Sequence, residues 1–151
     1  MPGEIESTQL PASGTKSSLG FVLVVDDEEQ NRTLLCDSLE ARGYEVAEAK
    51  SGMEAFEKIA VRPPDVVLLD VMMPQMDGFE VCRRLKTDSK TEHIPVLMVT
   101  ALSERKERLM GIAVGANDFL NKPVDIQDVV LRVGNAVYTK HLHDQLRVER
   151  E

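Results

Sequence analysis

Long apolar runs are missing from this chain. None approaches the ~20 residues needed to cross a bilayer, so no membrane-spanning helix is expected. The N-terminal stretch MPGEIESTQLPASGTKSS has no apolar centre either, which excludes an ordinary secretory signal. Cysteine is scarce: Cys36 and Cys82 stand far apart, in no metal-binding or redox spacing. Without an export signal they read as reduced thiols of a cytoplasmic protein. Positive charge is outnumbered, with 18 Lys and Arg against 26 Asp and Glu and a net charge of −8. A surface of that sign repels phosphates and argues against direct nucleic-acid binding. The segment SGTKSS lacks the adjacent Gly-Lys of a phosphate-binding loop. What is present is 151 residues, 42% hydrophobic and 29% charged, which suits one soluble domain with a real core.

Residues 1–18 are rich in Ser, Thr, Gly and Pro, lack periodicity, and are expected to be a disordered tail. Beyond them, short apolar runs alternate with longer amphipathic ones. Phe21–Val25, Tyr44–Ala49, Val66–Leu69, Val96–Val99 and Asn117–Leu120 read as strands. Glu28–Arg42, Ser51–Val61, Asp77–Lys86, Ser103–Val114 and the chain from Asp125 onward read as helices. Gly43 and Gly115 are placed to end two of them, Ser51 with Glu54 resembles a capping box, and Pro63-Pro64 is a stop. Five strands alternating with five helices predict an α/β fold, a doubly wound five-stranded parallel sheet. In such sheets functional groups gather beyond the carboxyl ends of the strands. The polar residues ending the apolar strands are Asp26-Asp27, Asp70, Thr100 and Lys122, all expected at one edge.

Carboxylates brought together there repel each other, and drying them without compensation costs several kcal/mol by order of magnitude. Oxygen ligands with no His or Cys nearby select a hard cation such as Mg²⁺. The lysine supplies a point charge for a phosphoryl oxygen and the threonine a hydroxyl. A carboxylate can itself act as nucleophile and form an aspartyl phosphate. Such transfer needs mainly positioning and charge neutralisation.

With VLVVDDEEQNR, VVLLDVMMPQMDGFE, VLMVTA and GANDFLNKP in this order and spacing, the sequence resembles the receiver domains of two-component response regulators over roughly residues 20–138. The resemblance implies a flavodoxin-like receiver fold with Asp70 as phosphoacceptor. It implies Mg²⁺ bound by Asp27, Asp70 and the Met72 backbone carbonyl, with Asp26 acting through water. Thr100 would bond a phosphoryl oxygen, Lys122 would pair with Asp70 or the phosphoryl group, and the Lys122–Pro123 bond would be cis. Thr100 and Phe119 would form the switch pair, Phe119 standing where many relatives carry Tyr. Ala101 is small, as access to the site requires, and Met72 and Leu102 occupy positions that tune dephosphorylation. The implied partner is a sensor histidine kinase or phosphotransfer protein. The implied organisation is a tail at 1–19, a receiver at 20–138 and a helical extension or linker at 139–151.

One rival is an aspartyl-nucleophile phosphohydrolase of the haloacid-dehalogenase type. It requires an acidic residue two positions after the nucleophile, and Met72 stands there. Another is a receiver-like module that is never phosphorylated, yet no acidic, Asp or Lys position is lost. Met72, Met73 and Met76 read as loop packing. His141 and His143 are two apart, point apart on a helix, and read as solvated. A continuous helix from Asp125 to Glu151 would run about 40 Å, more than the roughly 35 Å width of a 120-residue body. Val129, Val130, Val133 and Val137 give its first half a packing face. Tyr138, Leu142 and Leu146 form a thin stripe on its second half, read either as a frayed, solvated tail or as a short coiled-coil helix that leads to an output domain or pairs with a second protomer, a homodimer then also using the face of the fourth and fifth helices.

Overall fold

The computed structural model describes residues 18–101 and 105–150. The expected tail and Leu102 lie outside the described residues. Ten elements alternate along the chain: β1 (Phe21–Val25), α1 (Glu29–Ala41), β2 (Glu45–Ala49), α2 (Gly52–Val61), β3 (Val66–Asp70), α3 (Gly78–Thr87), β4 (Val96–Thr100), α4 (Arg105–Ala113), β5 (Asp118–Asn121) and α5 (Ile126–Arg150). The strands form one parallel sheet in the order β2-β1-β3-β4-β5. Its direction of growth reverses between β1 and β3, the place where such sheets open a crevice.

The inner strands β1, β3 and β4 lack polar alternation because both faces of the sheet are covered there, while the edge strands β2 and β5 carry exposed Glu45, Glu48 and Asn121. Val22 and Val24, Val66 and Leu68, Leu97 and Val99 point to one side, where they meet Leu35, Cys36 and Leu39 of α1 and Val129, Val133 and Val137 of α5. Leu23, Val25, Val67, Leu69, Val96 and Met98 point to the other, against Ala55 and Ile59 of α2 and Val81, Cys82 and Leu85 of α3. Removing one fully buried leucine such as Leu68 would cost about 2–5 kcal/mol.

Local chemistry sets the element ends. Ser51 Oγ accepts the Glu54 N–H as the sequence pattern predicts, but the Glu54 carboxylate reaches one residue further back than a capping box requires and accepts the Lys50 N–H at 2.7 Å. Gly43 and Gly115 take φ of 101° and 99°, where a side chain would be strained. Both cysteines are free and buried, and burial pushes their thiols up to about 12 for Cys36 and about 11 for Cys82. No helix among the described residues is long and apolar enough to cross a membrane.

α5 is unbroken through residue 138; in its second half His141 is exposed, as expected of a solvated side chain, whereas His143 is half-buried and corrects that expectation. His141 Nε2 lies 3.4 Å from Asp65, and the His143 ring stacks on His93, which sits just before β4, with centroids 5.1 Å apart. Arg147 approaches His93 Nε2 at 3.5 Å, and Lys140 is only 8% exposed and pairs with Asp144. One side of the extension is thus clasped to the amino edge of the sheet. The stripe of Tyr138, Leu142 and Leu146 is exposed.

Candidate phosphoacceptor and metal site

β1 and β3 deliver their last residues side by side, because Val25 is in register with Leu69. Asp26 and Asp70 are each 2% exposed, while the neighbouring Asp27 faces solvent. Oxygens of the three carboxylates lie within 4.8 Å of one another. Asp26 is fixed from both ends: its N–H donates to the Ala49 carbonyl, its carbonyl accepts from Arg32, and its Oδ1 accepts the Glu28 N–H at 2.9 Å. Thr100, 3% exposed, ends β4, and its carbonyl accepts the Lys122 N–H at 2.8 Å. That bond carries the turn after β5 back over the site, and Lys122 Nζ reaches Asp70 Oδ1 at 2.8 Å. The Lys122–Pro123 peptide bond is cis. All the sequence-predicted polar residues therefore meet at one edge.

The loop from β3 to α3 folds tightly beside them. The Gly78 N–H bonds the Val71 carbonyl, and a Cβ at Gly78 would lie 2.4 Å from the Asp70 carbonyl oxygen. Only glycine allows this approach. Gln75 has φ of 69° in a γ-turn closed by the Met76 N–H on the Pro74 carbonyl, a rare and strained form. Sequence reading missed both roles, although the Asp-Gly step at Asp77-Gly78 was a visible signal. Of the loop methionines, Met73 is buried and Met76 packs on the core, but Met72 is 64% exposed over the site and corrects the packing expectation there. Phe119 is half-buried. Its ring occupies the space a Cβ at Gly111 of α4 would take, 2.5 Å from Cε1.

Electrostatics follow burial. Burial first, then the charges of Asp70 and Asp27, raise Asp26 to about 6 against the opposing Glu28 N–H. Burial also raises Asp70, with Lys122 and the Met72 N–H pulling the other way. Lys122 is depressed by burial, but Asp70 and then Asp26 outweigh that and raise it overall. Asp70 Oδ1 is buried and lies 2.8 Å from the Lys122 ammonium. Three carboxylates, two of them buried, with one ammonium to balance them and no imidazole or thiolate nearby, fit a small divalent oxygen-seeking cation.

Comparison with known proteins agrees with this geometry. The response regulator receiver domain family matches residues 22–134. Response regulator PleD of Caulobacter vibrioides is 49% identical over 126 residues, which cover 83% of this chain and 28% of that protein. The DNA-binding dual master transcriptional regulator RpaA of Synechocystis is 39% identical, over 74% of this chain and 46% of its own length. The chain thus spans between about a quarter and a half of these relatives. Among solved structures, the chemotaxis protein CheY4 of Vibrio cholerae superposes with a TM-score of 0.74 at 34% identity, covering 77% of this chain and 97% of that one.

Proposed function

This chain belongs to the response regulator receiver domain family, and from that premise we propose that Asp70 takes up a phosphoryl group in a Mg²⁺-dependent reaction and thereby switches a partner-facing surface. As a receiver domain it is a phosphoacceptor of two-component signalling. The observation that supports Asp70 is its position: a buried strand-end carboxylate with a lysine ammonium at 2.8 Å and two further carboxylates beside it. An Asp70 oxygen forms a bond to phosphorus as the bond from phosphorus to the donor breaks. The donor is a phosphorylated sensor histidine kinase or phosphotransfer protein. Lys122 then turns from the carboxylate to a phosphoryl oxygen, and the Thr100 hydroxyl bonds a second one. Asp27, Asp70, the Met72 carbonyl and, through water, Asp26 would hold the Mg²⁺, which neutralises charge on the phosphoryl oxygens when bound. The chain supplies these groups itself, so a small phosphodonor suffices.

The haloacid-dehalogenase alternative finds no support in the family match. Met72, the position that would carry its acid, has no proton to give. The test is the mass of the intact protein after incubation with acetyl phosphate and Mg²⁺. Wild type should gain one phosphoryl group, and both Asp70→Asn and chelation of the metal should abolish the gain. An Asp70→Asn protein labelled to the same extent would place the acceptor elsewhere, and continued turnover of the donor without an adduct would mark a hydrolase.

A further inference from the structure

Two arginines reach the edge strand β2, and they serve different ends. Arg62, just after α2, forks onto Glu45 with contacts of 2.6 and 2.9 Å and lies over the Phe21 ring, 3.9 Å from its centroid. That pair is exposed and sits at the amino edge of the sheet, away from the acidic cluster. Arg32, on α1, donates from Nε to Glu48 at 2.7 Å and from Nη1 to the Asp26 carbonyl at 2.9 Å. Its side chain is only 13% exposed.

The acceptor is what sets Arg32 apart. Asp26 stands past the end of β1 and before the start of α1. Neither a strand ladder nor a helix supplies its carbonyl with a donor, so a side chain has to. The Asp26 N–H is already held by the Ala49 carbonyl at 3.0 Å, and its Oδ1 by the Glu28 N–H at 2.9 Å. The carbonyl is the third hold, and it belongs to the peptide unit that leads into Asp27. Asp27 faces solvent, so packing does little to fix its direction. Mg²⁺ demands near-octahedral oxygen geometry, and a carboxylate aimed by a loose peptide meets that demand only part of the time.

We propose that Arg32 is a positioning residue for the metal ligands: by holding the peptide between Asp26 and Asp27 it aims both carboxylates, while Glu48 steers its guanidinium. A planar fork serves a carbonyl and a carboxylate together, which a single ammonium does not. Coulomb's law argues the other way, since a cation beside the cluster repels Mg²⁺ and its removal would tighten binding. Glu48, at 2.7 Å, offsets that charge, so the loss of alignment dominates. The inference rests on the proposed Mg²⁺ site but not on phosphorylation, and the two fail in different ways.

Calorimetric titration of Mg²⁺ into the metal-free full chain tests it without any phosphodonor. Arg32→Ala should raise the Mg²⁺ dissociation constant about tenfold, the lower end of what loss of a ligand-orienting partner costs. Arg32→Lys should weaken binding as well, because charge without the fork does not aim the peptide. Arg62→Ala removes the other arginine contact to the same strand and should leave the constant unchanged. In labelling by acetyl phosphate, Arg32→Ala should need about tenfold more Mg²⁺ for half the maximal rate and should reach the wild-type rate at saturation. Unchanged or tighter Mg²⁺ binding by Arg32→Ala overturns the proposal. So does wild-type affinity in Arg32→Lys, or equal weakening in Arg62→Ala. A wild type that binds no Mg²⁺ removes the site itself, and this role with it.

Discussion

Asp26 is where single-residue physics is most exposed to measurement. Its native pKa of about 6 lies above the ~3.9 of an unfolded aspartate. Between those values the native state holds a proton that the unfolded chain has released, so stability falls as pH rises across that window. The raised Asp70 pushes in the same direction. Metal-free protein should therefore melt at a lower temperature at pH 7 than at pH 5, and Asp26→Asn should raise the pH 7 melting point and flatten the slope. Mg²⁺ at 100 times its dissociation constant should restore about 2.7 kcal/mol at pH 7. Thermal scans with chelator or Mg²⁺ read all of this; a flat wild-type profile and an Mg²⁺-insensitive melt would contradict it. Gly78 is equally sharp. Its missing Cβ faces backbone, which cannot step aside. Gly78→Ala should cost about 1–3 kcal/mol in denaturant unfolding and slow labelling at Asp70, whereas the same change at an open position should do neither.

Within the elements, α4 and β5 form the proposed switch. Phe119 rests where Gly111 leaves room, and the atoms a Cβ would meet are the far end of the ring, which can turn. Gly111→Ala should therefore be absorbed by rotation of Phe119 and should shift the amide resonances of α4 and β5 without phosphorylation. Thr100→Ala should still be labelled, with smaller shifts on that surface when labelled. Identical spectra in the labelled Thr100→Ala and wild-type proteins would break the route. Most of these elements were legible beforehand because both signals are local: buried parallel strands read as unbroken apolar runs, and Asp26, Asp70, Thr100 and Lys122 each end one. The partners of His141 and His143 were not legible. Periodicity tells which side of a helix a residue occupies, but not which distant loop that side meets. His93 is about fifty residues away in sequence, with no pattern pointing to α5. Gln75 was hidden likewise, since its backbone is set by the neighbouring turn.

At the scale of the whole molecule, the acidic cluster and the clasp occupy opposite edges of the sheet. The contact of Arg147 with His93 Nε2 requires that nitrogen to be unprotonated. Burial, followed by the charges of Lys140, Arg147 and His143, holds His93 below its ordinary value, while Asp144 opposes them. A depressed histidine contributes stability above the unfolded pKa of about 6.5 and loses it as pH falls through its folded value. Acidification should therefore speed amide exchange across residues 139–147 relative to the intrinsic rate, which itself slows as pH falls, while the sheet stays protected. Replacing His93 by Ala should give that faster exchange at neutral pH; unchanged exchange would mean that the clasp contributes nothing.

The chain has three histidines, all of them in that clasp. Strands of five residues, at about 3.3 Å each, put roughly 17 Å between the two edges. Imidazole proton resonances therefore form a native reporter set, silent to the local chemistry at Asp70. They need no introduced label and cannot themselves take the phosphoryl group from that site. Any movement of those three signals when Asp70 is modified would measure how far a change at one rim is transmitted through the sheet to the other.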